Sequence, residues 1–536
     1  MKRLLALVWF AWATSGAPAA EPVAPLPPAI EVRVRAIGEL TGILEYAGDV
    51  LMQPEAGKRF AEIVKTLGAG EKGLEGLDPS RPVGGYVRIS EDIANSAVVV
   101  MVPVKDEAAF LALLKEKLKV EPKKDKDGLY SVEILPLPVG AIHFRFLHGY
   151  AYATIRNAKS IDAAAVIKPG DFFSAPLKPI AAAMIHWDRF PADVKKVLVG
   201  QIELQLVEAT KDWGGSELQK QARRGLLDIG VDMVKTMIQD GRQLALMLDV
   251  DPKTDTLAAT VRLTAKPKTT LETNLKSWAD RESVAADVSA EHPVAAMGLV
   301  VKVPTATHEK LGKIIDVLFD DLLAGANDDA KPLVTKLVDA VVPTLKSDDL
   351  QGGWAVVRPG KEKAVRLHAA VKAEKGAELE KVLKEFAPFL MGAEATVKFD
   401  EEKFAGRNLH AATLSNPDLK NTFGTETIWI ASSDDLVALE TEDKPKMLKA
   451  YLEAKPAKRP LFSFEVSVAQ LGMLTEKNLP AGKYEALVQS IFGQVDTAGR
   501  DTFKVAVTGG QELNVKVDLK GQAFKLLVAL DREKKK

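Results

Sequence analysis

Cysteine is absent from all 536 residues of the chain. That removes disulfides, a thiolate nucleophile, Cys-ligated zinc and iron–sulfur clusters together. An excess of either charge is missing too, since 72 basic side chains balance 73 acidic ones to a formal net of -1. Such balance gives no electrostatic case for nucleic acid or an anionic membrane. Long apolar runs are also lacking. Leu4 to Ala13 is too short to span a bilayer.

What that first run does fit is a secretion signal. Lys2 and Arg3 supply its positive end, and Ala17-Pro18-Ala19 gives the small-x-small pattern of a cleavage site after Ala19 or Ala20. We therefore expect residues 1–20 to be a signal peptide and 21–30 a Pro-rich linker, with the mature chain periplasmic or extracellular and lacking a transmembrane helix. No Cys follows the signal to carry a lipid anchor. Hydrophobic content of 47% and charged content of 27% are those of a globular protein. At this length two or more domains are expected, held by core burial alone.

The chain repeats its own pattern. Val32 to Leu51 matches Leu299 to Leu318, a short strand and then a helix ending in Asp-Val-Leu. Val83-Gly84-Gly85-Tyr86-Val87 pairs with Gln351-Gly352-Gly353-Trp354-Ala355. The helices Glu107 to Leu118 and Ala377 to Phe386 carry apolar stripes at spacings of three and four: Phe110, Leu111, Leu114 and Leu118 against Leu379, Val382, Leu383 and Phe386. Ala141 to Thr154 and Thr427 to Leu439 read as hairpins. Lys178-Pro179 with Met184 to Trp187 matches Arg459-Pro460 with Phe462 to Val466, and Leu244 to Leu263 matches Phe503 to Leu519. Offsets drift around roughly 260 to 290 residues, as in duplicates with unequal loops.

The expected fold class is α+β: two tandem, duplicated lobes, each a mainly antiparallel sheet with packed helices. The lobes span 31–285 and 290–531, and 532–536 is a solvated basic tail. Around Pro191 to Asp240 the first lobe carries two helices, Val194 to Leu206 and Leu218 to Ile238. They join at Trp213-Gly214-Gly215-Ser216 with Ser216 as N-cap. The second lobe has one counterpart, Lys483 to Val495.

Signals for chemistry are sparse. The seven histidines, His143, His148, His186, His292, His308, His368 and His410, show no i,i+4 pair with the intervening Glu of a zinc-protease helix. His143 and His148 flank a hairpin and lack a third ligand. His186-Trp187-Asp188 could hold a base oriented by Asp188, although the matching Phe464-Glu465-Val466 lacks histidine and no Gly-x-Ser-x-Gly elbow accompanies it. Asp125-Lys126-Asp127-Gly128 opens like a calcium loop, but Pro136 stands where the bidentate Glu belongs, which leaves a turn between a helix and Leu129-Tyr130-Ser131-Val132. Asp316, Asp320, Asp321, Asp328 and Asp329 read as a solvated acidic face. Gly68-Ala69-Gly70-Glu71-Lys72-Gly73 lacks the Gly-Lys-Ser/Thr end of a phosphate loop and reads as a helix C-cap and connector. Gly84-Gly85 and Gly352-Gly353 mark close backbone approach or a bulge.

Pro82 to Tyr86, Val98 to Leu118 and the hairpin near Phe144 to Thr154 give the chain a loose likeness. It resembles large exported proteins of planctomycete-like bacteria, of the domain-of-unknown-function type. That resemblance implies no activity and no site residues. The expectation is a non-catalytic envelope protein that binds a protein partner or a small apolar ligand, with no cofactor, no metal and no nucleic acid, and with catalytic residues unassigned. One alternative is an apolar-ligand or lipid carrier with a hollow lined by Leu226, Leu227, Val234, Met237 and Ile238. Another is a hydrolase using scattered carboxylates or His186.

Overall fold

The computed structural model describes residues 26–534 except 53–68, 71–72, 75, 93–94, 117–118, 134–140, 156, 175–177, 211–215, 280, 284, 286–291, 328–330, 359–363, 391–394, 476–481, 495–496 and 498. The expected signal peptide lies outside the described residues. Two compact units make up the chain: Met1–Leu198 with Gly241–Lys266 and Val528–Lys536, and Val199–Asp240 with Pro267–Leu527.

In the first unit the strands are β1 (Ile30–Ala36), β2 (Ala69–Gly70), β3 (Gly73–Leu74), β4 (Pro82–Arg88), β5 (Ala97–Pro103), β6 (Lys123–Lys124), β7 (Tyr130–Glu133), β8 (Ala141–Leu147), β9 (Tyr150–Ile155), β10 (Ala181–His186), β11 (Gly241–Asp251) and β12 (Thr256–Ala265). The helices are α1 (Ile37–Val50), α2 (Glu107–Glu116), α3 (Pro169–Phe172) and the start of α4 (Ala192–Thr210). Apart from the β2–β3 ladder, the strands form an antiparallel sheet in the order β12–β11–β10–β1–β4–β5–β9–β8–β7–β6. Tight turns make the pairing antiparallel. His148 and Gly149, both at positive φ (53° and 72°), close the β8–β9 hairpin in the twist that a two-residue loop needs. Asp106 caps α2 through the amides of Ala108 and Ala109.

The second unit holds β13 (Arg281–Ser283), β14 (Ala295–Lys302), β15 (Asp349–Val357), β16 (Arg366–Lys372), β17 (Ala395–Phe404), β18 (Arg407–Leu414), β19 (Thr427–Ser433), β20 (Leu436–Thr441), β21 (Ala457–Arg459), β22 (Phe462–Ser467), β23 (Thr502–Thr508) and β24 (Glu512–Lys520). Its helices are the rest of α4, α5 (Glu217–Asp240), α6 (Thr270–Ser277), α7 (Thr305–Gly325), α8 (Lys331–Leu345), α9 (Gly376–Leu390), α10 (Pro417–Phe423), α11 (Lys446–Glu453), α12 (Val468–Thr475), α13 (Lys483–Phe492) and the first half of α14 (Gly521–Lys534), whose second half belongs to the first unit. β13 pairs with β21. The other strands run β24–β23–β22–β14–β15–β16–β20–β19–β18–β17, antiparallel throughout. Taken strand for strand in chain order, this is the order of the first unit. The fold is mixed α+β, as the sequence implied.

Side-chain alternation gives each sheet two faces, parts of which are buried, while Val32, Val100, Leu246 and Leu248 of the first sheet stay exposed. In the first unit one face packs Tyr86, Val99, Met101, Tyr150 and Tyr152 against Ile161 and Phe172. The other sets Tyr130, Val132 and Phe144 against Phe110, Leu111 and Leu114 of α2. In the second unit Ala370, Leu409, Ala411, Trp429, Ala431, Leu436 and Ala438 meet Leu448, Tyr451 and Leu452 of α11.

The ladder corrects one match made by sequence. Val32 lies opposite Gly85, and Leu299 lies opposite Gly352. A Cβ on Gly85 would stand 3.0 Å from the Val99 carbonyl oxygen, and one on Gly352 3.2 Å from that of Ala370. Gly85 therefore corresponds to Gly352, one residue away from a straight alignment of the two Gly-Gly pairs. A one-residue slip flips every side chain to the opposite face, which is why Tyr86 is buried and Trp354 is not. In the corrected register Val99 corresponds to Ala370 and Tyr152 to Leu436. Each lies in its own core.

Other expectations shift as well. The basic tail is no fray: α14 runs to Lys534, and Arg532 donates to the carbonyls of Leu51 and Met52 at the end of α1. Ala69-Gly70 and Gly73-Leu74 pair as strands, while the helix end expected at Gly68 lies outside the described residues. Lys483 to Val495 holds one helix, α13 (Lys483–Phe492), as expected, and a further helix, α12, precedes it after β22. Ser216 does cap α5, accepting from Gln219 N at 3.1 Å, while Trp213-Gly214-Gly215 lies outside the described residues.

Glycine substitutions check this packing. A Cβ on Gly376, at the start of α9, would collide with the Ser433 carbonyl, whereas one on Gly230 within α5 meets nothing. Gly376→Ala should cost about 2–3 kcal/mol. Gly230→Ala should gain about 0.5–1 kcal/mol. Urea unfolding of both variants measures the contrast.

Candidate functional site

Beneath α9 the sequence gathers a histidine, two carboxylates and a lysine. Glu380 and Lys384 sit one helical turn apart on α9, with Lys384 Nζ 2.8 Å from Glu380 Oε1. His410 comes from β18 and Ser432 from β19. Asp400 occupies an irregularity of β17, between Lys398 and Glu402, where the pairing with β18 shifts. Its φ of 54° is the left-handed conformation that such bulges use to re-aim a side chain. The ligand atoms of Glu380, Asp400 and His410 lie within 4.8 Å of one another, which is metal-like spacing.

Proton bookkeeping argues against a metal. The Asp400 amide donates to His410 Nδ1 at 2.9 Å, so Nδ1 keeps its lone pair and the neutral ring carries its hydrogen on Nε2. A metal-ligating histidine has the opposite arrangement, donating through its second nitrogen. Here Nε2 lies 3.2 Å from Glu380 Oε1 but is not aligned for a full hydrogen bond. Lys384 already supplies a cation, reaching Asp400 Oδ2 at 3.1 Å as well as Glu380. Ser432 Oγ donates to Glu380 Oε2 at 2.9 Å. Burial raises the Glu380 pKa, yet the bonds from Lys384 and Ser432 outweigh it and hold the carboxyl below its usual range. Burial pushes the His410 ring down, against the pull of Glu380. The cluster is a hydrogen-bonded network in which one lysine serves two carboxylates.

In the first unit the corresponding place, under α2, is apolar. Phe144 stacks on Tyr130 with ring centroids 5.0 Å apart, and Phe110 meets the edges of Phe144 and Phe146.

His186 does not find Asp188. Its Nε2 lies 3.1 Å from Glu31 Oε1 on β1, a carboxylate also bonded by Arg33 at 2.8 Å and approached by Arg189 at 3.4 Å. Burial raises the Glu31 pKa, but the bonds from His186 and Arg33 bring it below normal. The orienting role expected of Asp188 belongs to Glu31, which is brought near by the β1–β10 pairing. Sequence reading missed it because the two residues lie far apart in the chain.

His143 is a strand residue whose Nδ1 lies 2.9 Å from Ser131 Oγ, its cross-strand neighbour. No carboxylate touches His143 among the described residues, so this Ser–His contact lacks a third partner. His148 sits in the turn. Asp125 accepts from the amides of Asp127 and Leu129 and closes the β6–β7 turn; the turn joins two strands, not a helix and a strand. Asp316 pairs with Lys346, and Asp321 receives Ser216 and Gln219. Asp328 and Asp329 lie outside the described residues. Glu380 and Lys384 also escaped the sequence reading, although their i,i+4 spacing was a visible signal.

No protein family, curated protein or solved structure matches this chain.

A pH measurement checks the His410 assignment. A ring held below the ordinary value of 6.5 takes up its proton only on unfolding. Its stabilisation is thus full above that value and declines as pH falls through it. Between about pH 8 and about pH 5.5, His410→Gln should lose less of its urea midpoint than the parent chain. Equal losses would contradict the assignment.

Proposed function

We propose that the chain is an exported, non-catalytic binding protein of a bacterial envelope, built from two copies of one α+β unit. The common strand order and the matching glycine contacts at Gly85 and Gly352 support the duplication. The likeness to large exported planctomycete-type proteins belongs to the same proposal. No helix among the described residues is long and apolar enough to cross a membrane.

One observation carries the binding reading. In the second unit α4, α5 and α7 hold large apolar side chains in solvent: Leu204, Val207, Leu226, Met233, Leu318 and Leu322, with Leu204 66% exposed. The helices adjoin one another. Lys235 of α5 pairs with Glu203 of α4 at 2.5 Å, and Gly225 of α5 lets Ile314 of α7 approach so closely that a Cβ would lie 2.7 Å from it. Several exposed apolar side chains on adjacent helices mark a surface for a protein partner. The charged clusters, by contrast, are consumed internally, which speaks against hydrolysis. The carrier reading loses its lining. Leu226 is 53% exposed while Ile238 is 1% exposed, so the stripe does not face one hollow.

Two measurements test this. The mass of the chain recovered from the envelope should place its first residue at Ala20 or Glu21; a retained leader would contradict export. A photo-crosslinker at position 226 should give one discrete protein adduct in cells, abolished by Leu204→Glu with Met233→Glu. An adduct indifferent to those charges, or none, would count against the surface.

A further inference from the structure

On the α11 face of the second sheet, one cross-strand row places polar groups in the core. His368 on β16 lies directly opposite Glu440 on β20, which lies directly opposite Trp429 on β19. Glu440 is 0% exposed, and His368 and Trp429 are also buried. Glu440 Oε2 accepts from Leu448 N at 2.7 Å, fastening the first turn of α11. Its Oε1 has no hydrogen-bond donor, and both His368 ring nitrogens, Trp429 Nε1 and Glu442 Oε2 have no hydrogen-bond partner. His368 Nδ1 stands 3.4 Å from Glu440 Oε1. The Glu442 carboxyl, two residues on, works against ionisation of Glu440, and two carboxyls can share a hydrogen bond only if one carries a proton. A buried acid with so few donors is costly as an anion.

We propose that Glu440, Glu442 and His368 form a buried proton-binding site that couples pH to the docking of α11 on its sheet. One proton bridges the two carboxyls at neutral pH. When it leaves for solvent, two anions face each other in the core and α11 loosens.

The surroundings set the direction. β16 contributes His368 and Arg366, the latter paired with Glu442. β19 contributes neutral Trp429. α11 contributes only the amides of Leu448 and Met447, since its Lys449 is engaged by Glu402. Burial and then the Glu442 carboxyl push Glu440 up to about 8, and the two amides oppose them without prevailing. Burial lowers His368, leaving it neutral in this range. An acid raised in the folded state stabilises fully below its unfolded value, here 4.5. That contribution is lost as pH rises through the folded value.

Hydrogen exchange of the intact protein, corrected for intrinsic rates, tests the coupling. Protection of the α11 amides should fall about tenfold between about pH 7 and about pH 9, while the β19 and β20 amides hold. Glu440→Gln should remove the fall. Glu442→Gln, which leaves the core carboxyl in place and gives it a donor, should move the fall to lower pH. Infrared difference spectra of the parent chain should lose a protonated-carboxyl band over the same range, so the proposal stands or falls even if Glu440→Gln does not fold. Uniform loss of protection, a pH response unchanged in Glu442→Gln, or no carboxyl band would each overturn it.

Discussion

A carbonyl oxygen of the neighbouring strand stands close to where a side chain would begin at Gly85, and the same happens at Gly352. These close approaches mark which residue of the glycine strand lies beside which residue of its partners. Register in turn decides which face each side chain reaches, and so which side chains enter the cores. The core lists, the polar rows and the residues beneath α2 and α9 all follow from that alignment.

The two units differ in what a helix covers on the sheet. Aromatic packing under α2 needs no partners beyond contact. Under α9 a histidine, two carboxylates, a serine and a lysine lie together and bond one another through all but the His410 Nε2. A polar network in a core is tolerable only when its members are paired. The row at Glu440 does not meet that condition with fixed charges, and a proton supplies what the side chains lack. A group that exchanges its last partner with solvent is the one that responds to pH.

Much of the architecture could be read from local pattern. Tight turns such as His148-Gly149, the stripes at Phe110 and Leu114, and Ser216 ahead of α5 announced hairpins and helices through short-range chemistry. The one-residue slip at the glycines was invisible, because two adjacent glycines align equally well either way until a facing carbonyl chooses between them. The clusters were harder still. Glu31 meets His186, and His368 meets Glu440, only through strand pairing between distant segments. Asp400 reaches His410 through a bulge that no composition signal marks. The tail at Arg532 was misjudged because its partners are bare carbonyls at the end of α1.

Superposition of the two sheets in a crystal structure of the chain tests the central claim, the proposed duplication, most directly. Two copies of one unit should align strand for strand, with Gly85 falling on Gly352 and Val99 on Ala370. Unlike strand orders, or a register that brings Gly84 onto Gly352, would contradict the account.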